Sequence, residues 1–238
     1  MSTIIGNPIM LGGGSGVSAP IIGKDFNWTG GDGTYQVSDD GGGNWRIKFL
    51  SSGVFTPMKN MTIDVFLVGA GGGGAACGGG SGYTATKKSI VVLSNNSYSI
   101  EIGDGGTGST VSSTAGGDGG RTSAFSVTAK GGVGGKGGTY RWYGGDGGSG
   151  GGAYNAGGGV DGANGSNNPD SSTYKGGTGQ GTTTREFGEA SGDLYASGGS
   201  GVLNGATAGA DNTGDGGDNG KAGGSGIAII RKHKEAAA

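Results

Sequence analysis

Runs of glycine recur along this chain with a period of three, and that spacing limits the fold more than any other feature. Gly131-Gly132-Val133, Gly134-Gly135-Lys136 and Gly137-Gly138-Thr139 follow one another without a break, as do Gly144-Gly145-Asp146, Gly147-Gly148-Ser149 and Gly150-Gly151-Gly152. Gly116-Gly117-Asp118 and Gly119-Gly120-Arg121 form a shorter run. An α-helix repeats every ~3.6 residues and a strand every ~2. A repeat of three belongs to the extended left-handed polyproline II helix.

Glycine supplies 66 of the 238 residues and only 31% are hydrophobic, so an apolar core can occupy only part of the chain. Collagen is excluded, because it needs abundant proline and there are 4 prolines here. A flexible glycine-serine linker is the opposing reading. The register of three, the bulky residues that punctuate it and the strand-like segments at both ends argue for ordered packing instead. Isolated polyproline II helices have no internal hydrogen bonds, so their backbone groups need partners. Glycine lets neighbouring backbones come close enough to supply them. The expected fold is mainly β plus polyproline II: a small antiparallel sheet or sandwich anchoring a bundle of glycine-rich helices, with essentially no α-helix.

In chain order, residues 1–24 are apolar (Ile4, Ile5, Ile9, Met10, Leu11, Ile21, Ile22) and read as an attachment or oligomerisation segment, or as a strand folded onto its own chain. Residues 25–60 alternate around Asp39-Asp40-Gly41 as a β-hairpin region. Residues 61–231 form the glycine-rich domain, with strands expected at 61–68, 83–93, 97–102, 122–130 and 226–231. The last strand is expected to pair with 61–68 and pin both ends of the bundle. Residues 232–238 close the chain as a basic tail ending in a possible cloning scar, and Arg231, Lys232 and Lys234 beside His233 read as solvated. There is no basic excess for nucleic acid at a net charge of −2. No segment reads as a signal peptide or membrane span.

Chemistry-bearing patterns are sparse. Gly69–Gly74 follows a strand as a dinucleotide loop would, but more glycine and a strand follow where a helix should start. Asp104, Asp118, Asp146, Asp161, Asp215 and Asp218 sit among glycines, without the nine-residue repeat of a calcium β-roll. The sole cysteine, Cys77, reads as a buried space-filler. Glu186 and Glu189 are a carboxylate pair with no visible cleft, and the sole histidine, His233, has no nucleophile beside it. No enzyme, metal or cofactor is expected. The strongest binding signal is aromatic: Tyr140, Arg141, Trp142 and Tyr143 form one cluster, Tyr154 with Asn155 a second, and Tyr174 near Asn167 and Asn168 a third. Rings beside amides suit sugars or protein loops, and Tyr, Trp and Arg are enriched at binding hot spots. The same rings would equally serve to cap a bundle that offers little other apolar matter.

The segments MTIDVFLVGAGGGG at 61–74, GYTATKK at 82–88, GQGTTTREFGEASGDLYASGG at 179–199 and GGSGIAIIR at 223–231 resemble the glycine-rich domain at the ends of tail proteins of phages and prophages of Gram-positive bacteria. Similar glycine-rich modules occur in the distal adhesin of some T-even-like phages. The resemblance implies a polyproline II bundle and a fibre-tip, receptor-binding protein of the virion, made in the bacterial cytoplasm and joined to other tail or fibre proteins through residues 1–24. It implies a host-surface polysaccharide or protein as ligand, met by the aromatic loops. Trimers are common in such fibres, though no heptad supports one here. The rival readings are a purely structural tail protein such as a fibre cap, an ice-binding surface and an enzyme acting on the cell envelope.

Overall fold

The computed structural model describes residues 19–111, 113–137, 143–153, 184–201 and 205–233. Their regular structure is almost entirely β. The strands are β1 (Phe26–Trp28), β2 (Tyr35–Gly41), β3 (Asn44–Phe49), β4 (Gly53–Pro57), β5 (Met61–Val68), β6 (Thr84–Val92), β7 (Tyr98–Glu101), β8 (Thr122–Ala124), β9 (Val127–Ala129) and β10 (Ile227–Lys232). The one helical element among the described residues is a 3-10 turn at Glu186–Gly188. The segment expected as one strand over 122–130 is two, broken by a turn at Phe125 and Ser126, both at positive φ.

The strands form two antiparallel five-stranded sheets, ordered β1-β4-β7-β8-β9 and β2-β3-β10-β5-β6. Alternation decides which side chains meet between them. Trp45, Ile47 and Phe49 of β3, Ile63, Val65 and Leu67 of β5, and Ala228 and Ile230 of β10 point inward. They pack against Phe26, Trp28, Phe55, Ile100 and Ala124 of the other sheet. The rings interlock, with Phe55 at 5.6 Å from Phe26 and 5.7 Å from Phe49. β10 lies between β3 and β5, with Ile230 opposite Ile47 on one side and Val65 on the other. The last strand of the chain is therefore central to its sheet, and β5 pairs with it as the sequence suggested.

β5 runs straight into the segment from Gly69 to Ala75, which is the hub of the glycine region. Its hydrogen bonds change partner with a strict period of three. The amides of Gly69 and Gly72 donate to Tyr83 and Gly80, those of Ala70 and Gly73 to Gly120 and Gly117, and those of Gly71 and Gly74 to Gly224 and Lys221. Its carbonyls repeat the pattern: Ala70 and Gly73 accept from Gly132 and Gly135, Gly71 and Gly74 from Gly106 and Ser109, Gly72 and Ala75 from Gly217 and Gly220. Six segments thus surround the hub, three antiparallel and three parallel. The approach leaves no room for a side chain. A Cβ on Gly71 would lie 1.9 Å from the Asp215 carbonyl oxygen, and one on Gly74 would lie 1.8 Å from that of Asp218.

Candidate functional site

The same bonds fix a direction. The hub leaves the sheets at Gly69 and ends remote from them at Ala75. The segment 106–109 runs alongside it in the same sense, as do 132–135 and 217–220. Their outer ends, Ser109, Gly135 and Gly220, therefore lie with Ala75 at the end away from the sandwich. Lys136 and Tyr143 close on each other there: Lys136 N donates to Tyr143 O at 2.8 Å and Tyr143 N to Lys136 O at 3.3 Å. Gly152, just before Ala153, is bonded to Gly78 at this end as well, and Ser200 accepts from Asn219. Residues 138–142, the start of 154–183, and 202–204 all connect to described residues at this outer end.

Of the aromatic and amide residues singled out from the sequence, Tyr143 lies among the described residues. It is 39% exposed at the outer end. Tyr140, Arg141, Trp142, Tyr154, Asn155, Asn167, Asn168 and Tyr174 lie outside them. Beneath Tyr143 the buried Cys77 thiol donates to the Tyr143 carbonyl at 2.6 Å and approaches that of Lys136 at 3.4 Å. Burial pushes its pKa up to about 12, against the modest pull of the Lys136 backbone and charge. This thiol is an inert part of the loop base, in keeping with the space-filling role expected of it.

At the other end of the molecule, chain direction places the entry of residues 19–24. Phe26 pairs with Pro57 at the far end of β4, whereas Gly53 pairs with Ile100 next to the glycine region. The Ile21 carbonyl accepts from Asp25 N, and Asp25 O from Met58 N. The chain therefore joins the sandwich on the side opposite the hub. Residues 1–18 lie outside the described set.

The carboxylate pair Glu186 and Glu189 is committed elsewhere. Residues 184–196 cross the outer face of the second sheet as a strap. Phe187 and Tyr195 pack on Phe66, with ring centroids at 5.9 and 5.6 Å, beside Val68, Ile227 and Ile229. Glu186 is buried and meets Arg46 Nη1 at 2.5 Å and Lys48 Nζ at 3.4 Å. Glu189 meets Arg231 Nη1 at 2.6 Å, and Asp193 meets Lys48 Nζ at 3.0 Å. Arg231 also lies 4.1 Å over the Phe187 ring. Carboxylates neutralised by cations in this way are mooring points, not an acid and nucleophile poised over a cleft.

The solvated reading of the basic residues near the C-terminal end is corrected for Arg231, which is 3% exposed; Lys232 ends β10 with its side chain exposed, and Lys234 lies outside the described residues. Asp64 on the adjacent strand supplies the compensating charge, at 3.1 Å from Arg231 Nε and 2.5 Å from His233 Nδ1, and accepts the Ser89 amide at 3.0 Å. Burial pushes the Asp64 carboxyl up, but the bonds from His233, Ser89 and Arg231 outweigh it and hold the group below its ordinary value. The sequence signal for the pair is Asp64 interrupting an otherwise apolar MTIDVFLV.

The aspartates of the glycine runs have a local task too. Asp118 accepts the amide of Gly134 at 2.9 Å, Asp215 that of Ser197 at 2.8 Å, and Asp218 those of Ser200 at 2.6 Å and Thr207 at 2.7 Å. Each occupies the third place of a Gly-Gly-x triplet or its neighbour and ties its segment to another. Among the described residues no three His, Cys, Asp or Glu side chains group as metal ligands. None of the described helices is long and apolar enough to cross a membrane.

Residues 50–233 match a family model described as a glycine-rich domain. No curated protein matches the chain.

Proposed function

The chain belongs to the glycine-rich domain family, and we propose that it works within that family as a non-enzymatic recognition module: a fibre-tip, receptor-binding protein of a phage tail. In this reading the glycine segments are polyproline II helices. The period of three in the hub's hydrogen bonds supports that identity, because three residues per turn brings every third amide to the same neighbour. The bundle serves as a stiff base on which loops are displayed, so that they lose little entropy on binding.

The observation that carries the proposal is the axial arrangement. The chain joins the sandwich on one side, and Lys136–Tyr143, Ala153 and the flanks of 202–204 lie at the opposite end of the bundle. An attachment side and a display end are what a tail-tip protein requires. On this reading residues 1–24 dock onto other tail or fibre proteins, and Tyr140, Arg141, Trp142 and Tyr143 contact a host-surface polysaccharide or protein, reinforced by many copies per virion. The test is adsorption of fluorescent full-length protein to host cells, comparing wild type with Trp142→Ala/Tyr143→Ala. Adsorption is expected to fall at least tenfold with the thermal midpoint unchanged. Undiminished adsorption by the folded variant would overturn the assignment of that loop and favour a structural tail subunit.

A further inference from the structure

We propose that the strap is a pH-sensitive latch: carboxylates moor residues 184–196 to cations of the second sheet, and acid turns that attraction into repulsion and releases the strap while the sandwich stays folded. The strap is built as a separate unit. Its backbone closes on itself: Glu186 N donates to Asp193 O, Tyr195 N to Thr184 O and Gly192 N to Glu189 O, and Arg185 lies opposite Leu194 in an antiparallel bridge. Arg185 Nη1 adds a bond to Gly192 O at 3.1 Å. Its grip on the sheet is made by side chains, the rings of Phe187 and Tyr195 and the carboxylates of Glu186, Glu189 and Asp193. It is also strained. Phe187 at φ 55 and Ala196, where the strap meets the bundle, at φ 62 both occupy the left-handed region, which such residues keep only while their surroundings impose it.

The balance of charge decides whether the strap stays down. Three carboxylates against the single cation Arg185 give residues 184–196 a formal charge of −2. Facing them are Arg46 and Lys48 on β3 and Arg231 and His233 at the end of β10. Asp40 on β2 and Asp64 on β5 are tied to these same cations. Protonating the three strap carboxylates leaves the strap at +1, from Arg185 alone. Asp40 and Asp64 lose their charge in acid too, and His233 gains one, so the face grows more cationic as the strap does. Glu186 matters most, because it is buried between Arg46 and Lys48, and a buried cation that loses its partner is strongly destabilising. The Lys48 ammonium holds the Asp193 carboxyl below its ordinary value. That share of the mooring is therefore complete above the unfolded value and lost as pH falls through the folded one. The packing of Ile47, Val65 and Ile230 against the rings around Phe55 does not titrate. Release would uncover Phe66, Val68, Ile227 and Ile229 without opening that core.

The test is a series of amide NMR spectra of the isotope-labelled full chain, taken from neutral pH downwards. Signals of Gly188, Gly192 and Tyr195 are expected to move to a second set while Ile47, Val65 and Ile230 keep theirs, the core following at least about one pH unit lower. Glu186→Gln/Glu189→Gln/Asp193→Asn carries the neutral side chains of the acid state. It should raise the open fraction at pH 7 at least about tenfold with core signals unchanged. Glu189→Gln removes one partly exposed pair and should move the strap's transition to higher pH. Strap and core signals lost together in the wild type would overturn the latch, as would a triple variant whose strap is as closed as wild type at pH 7. If the triple variant does not fold, Glu189→Gln decides, and an unmoved strap transition overturns the latch. These readouts are independent of what the display end binds.

Discussion

Gly73→Ala should be among the most damaging single-methyl changes in the protein, and its cost can be worked from the hub geometry. The new Cβ would lie 2.1 Å from the Thr107 carbonyl oxygen and 2.4 Å from its carbon. Both are backbone atoms that no rotamer change can move. Relief requires the hub and the segment 103–109 to separate by more than about 1 Å, which stretches the bonds from Gly106 N to Gly71 O and from Ser109 N to Gly74 O, each now 2.8 Å. Leaving two such amides unpaired costs about 1–3 kcal/mol each. The smaller conformational freedom of alanine in the unfolded chain returns about 0.4–1 kcal/mol. The net loss is about 1–6 kcal/mol, whose upper half is a large share of the ~5–15 kcal/mol that holds a typical domain together. Gly33→Ala isolates the other reason for glycine: φ is +79 and nothing lies within 4 Å of the added atom, so the cost is that of a left-handed residue, about 1–2 kcal/mol. Urea unfolding followed by the fluorescence of the buried Trp28 and Trp45 measures both. A midpoint for Gly73→Ala no lower than that of Gly33→Ala would refute close backbone packing as the reason for these glycines.

Further outcomes follow from the buried charges and the thiol. With its pKa raised from 9.0 to about 12, Cys77 carries about a thousandfold less thiolate near pH 8 than an ordinary thiol, so a disulfide reagent should label it only in urea; native labelling within tenfold of the denatured rate would contradict its burial. Asp64→Leu or Arg231→Met alone leaves a buried charge short of one of its partners and should cost about 3–5 kcal/mol, whereas the double substitution should cost less than the two losses summed, even though Glu189, His233 and the Ser89 amide each still lose a partner; additive losses in calorimetry would show that the two do not act as a pair. Asp25, Asp64 and Asp193 have folded pKa values held below 3.8 by Lys59, by His233, Ser89 and Arg231, and by Lys48. Their stabilisation is complete above the unfolded value and lost as pH falls through the folded one, so the thermal midpoint should be level from pH 7 to about 5 and drop below about 4. Asp215 runs the other way, raised by burial against the Ser197 amide and Thr213 hydroxyl, so Asp215→Asn should steepen the acid loss; a midpoint that rises on acidification would overturn both.

The sequence reveals those parts of the fold that depend on one strand at a time. Alternation in Phe26–Trp28, Tyr35–Gly41 and Asn44–Phe49 announces the strands, and their inward residues are the ones that fill the core. The closing Ile-Ala-Ile-Ile run could be matched to Met61–Val68 because both are mainly apolar on both faces, and both turn out to be covered on two faces. The features that escaped sequence reading are set by three or more segments meeting. Residues 69–75 look like any other glycine run. They become the hub because β5 delivers them into the middle of the bundle, and no local pattern records that. Arg231 looked solvated because its partners, Asp64 and Glu189, are far away in sequence. The aromatic site was legible as composition only; of its members Tyr143 can be placed.

The strap over the second sheet and the loops at the display end belong to one design problem. A glycine bundle has almost no side chains with which to anchor an insertion, since every hub contact is backbone to backbone. The chain that leaves it after Ala153 is therefore anchored elsewhere. Residues 184–196 do this on the sandwich, where β3 and β10 present Arg46, Lys48 and Arg231 on a face that also carries Phe66, Val68, Ile227 and Ile229. Phe187 sits in the left-handed region at φ 55 to lie under Arg231, a strain that persists only where the surroundings fix it. The Arg-Glu-Phe-Gly-Glu stretch is thus explained without chemistry. It fixes the chain on the sandwich at 184–196, where side chains are available, so that the glycine bundle, tied by backbone bonds and a few aspartates, does not have to.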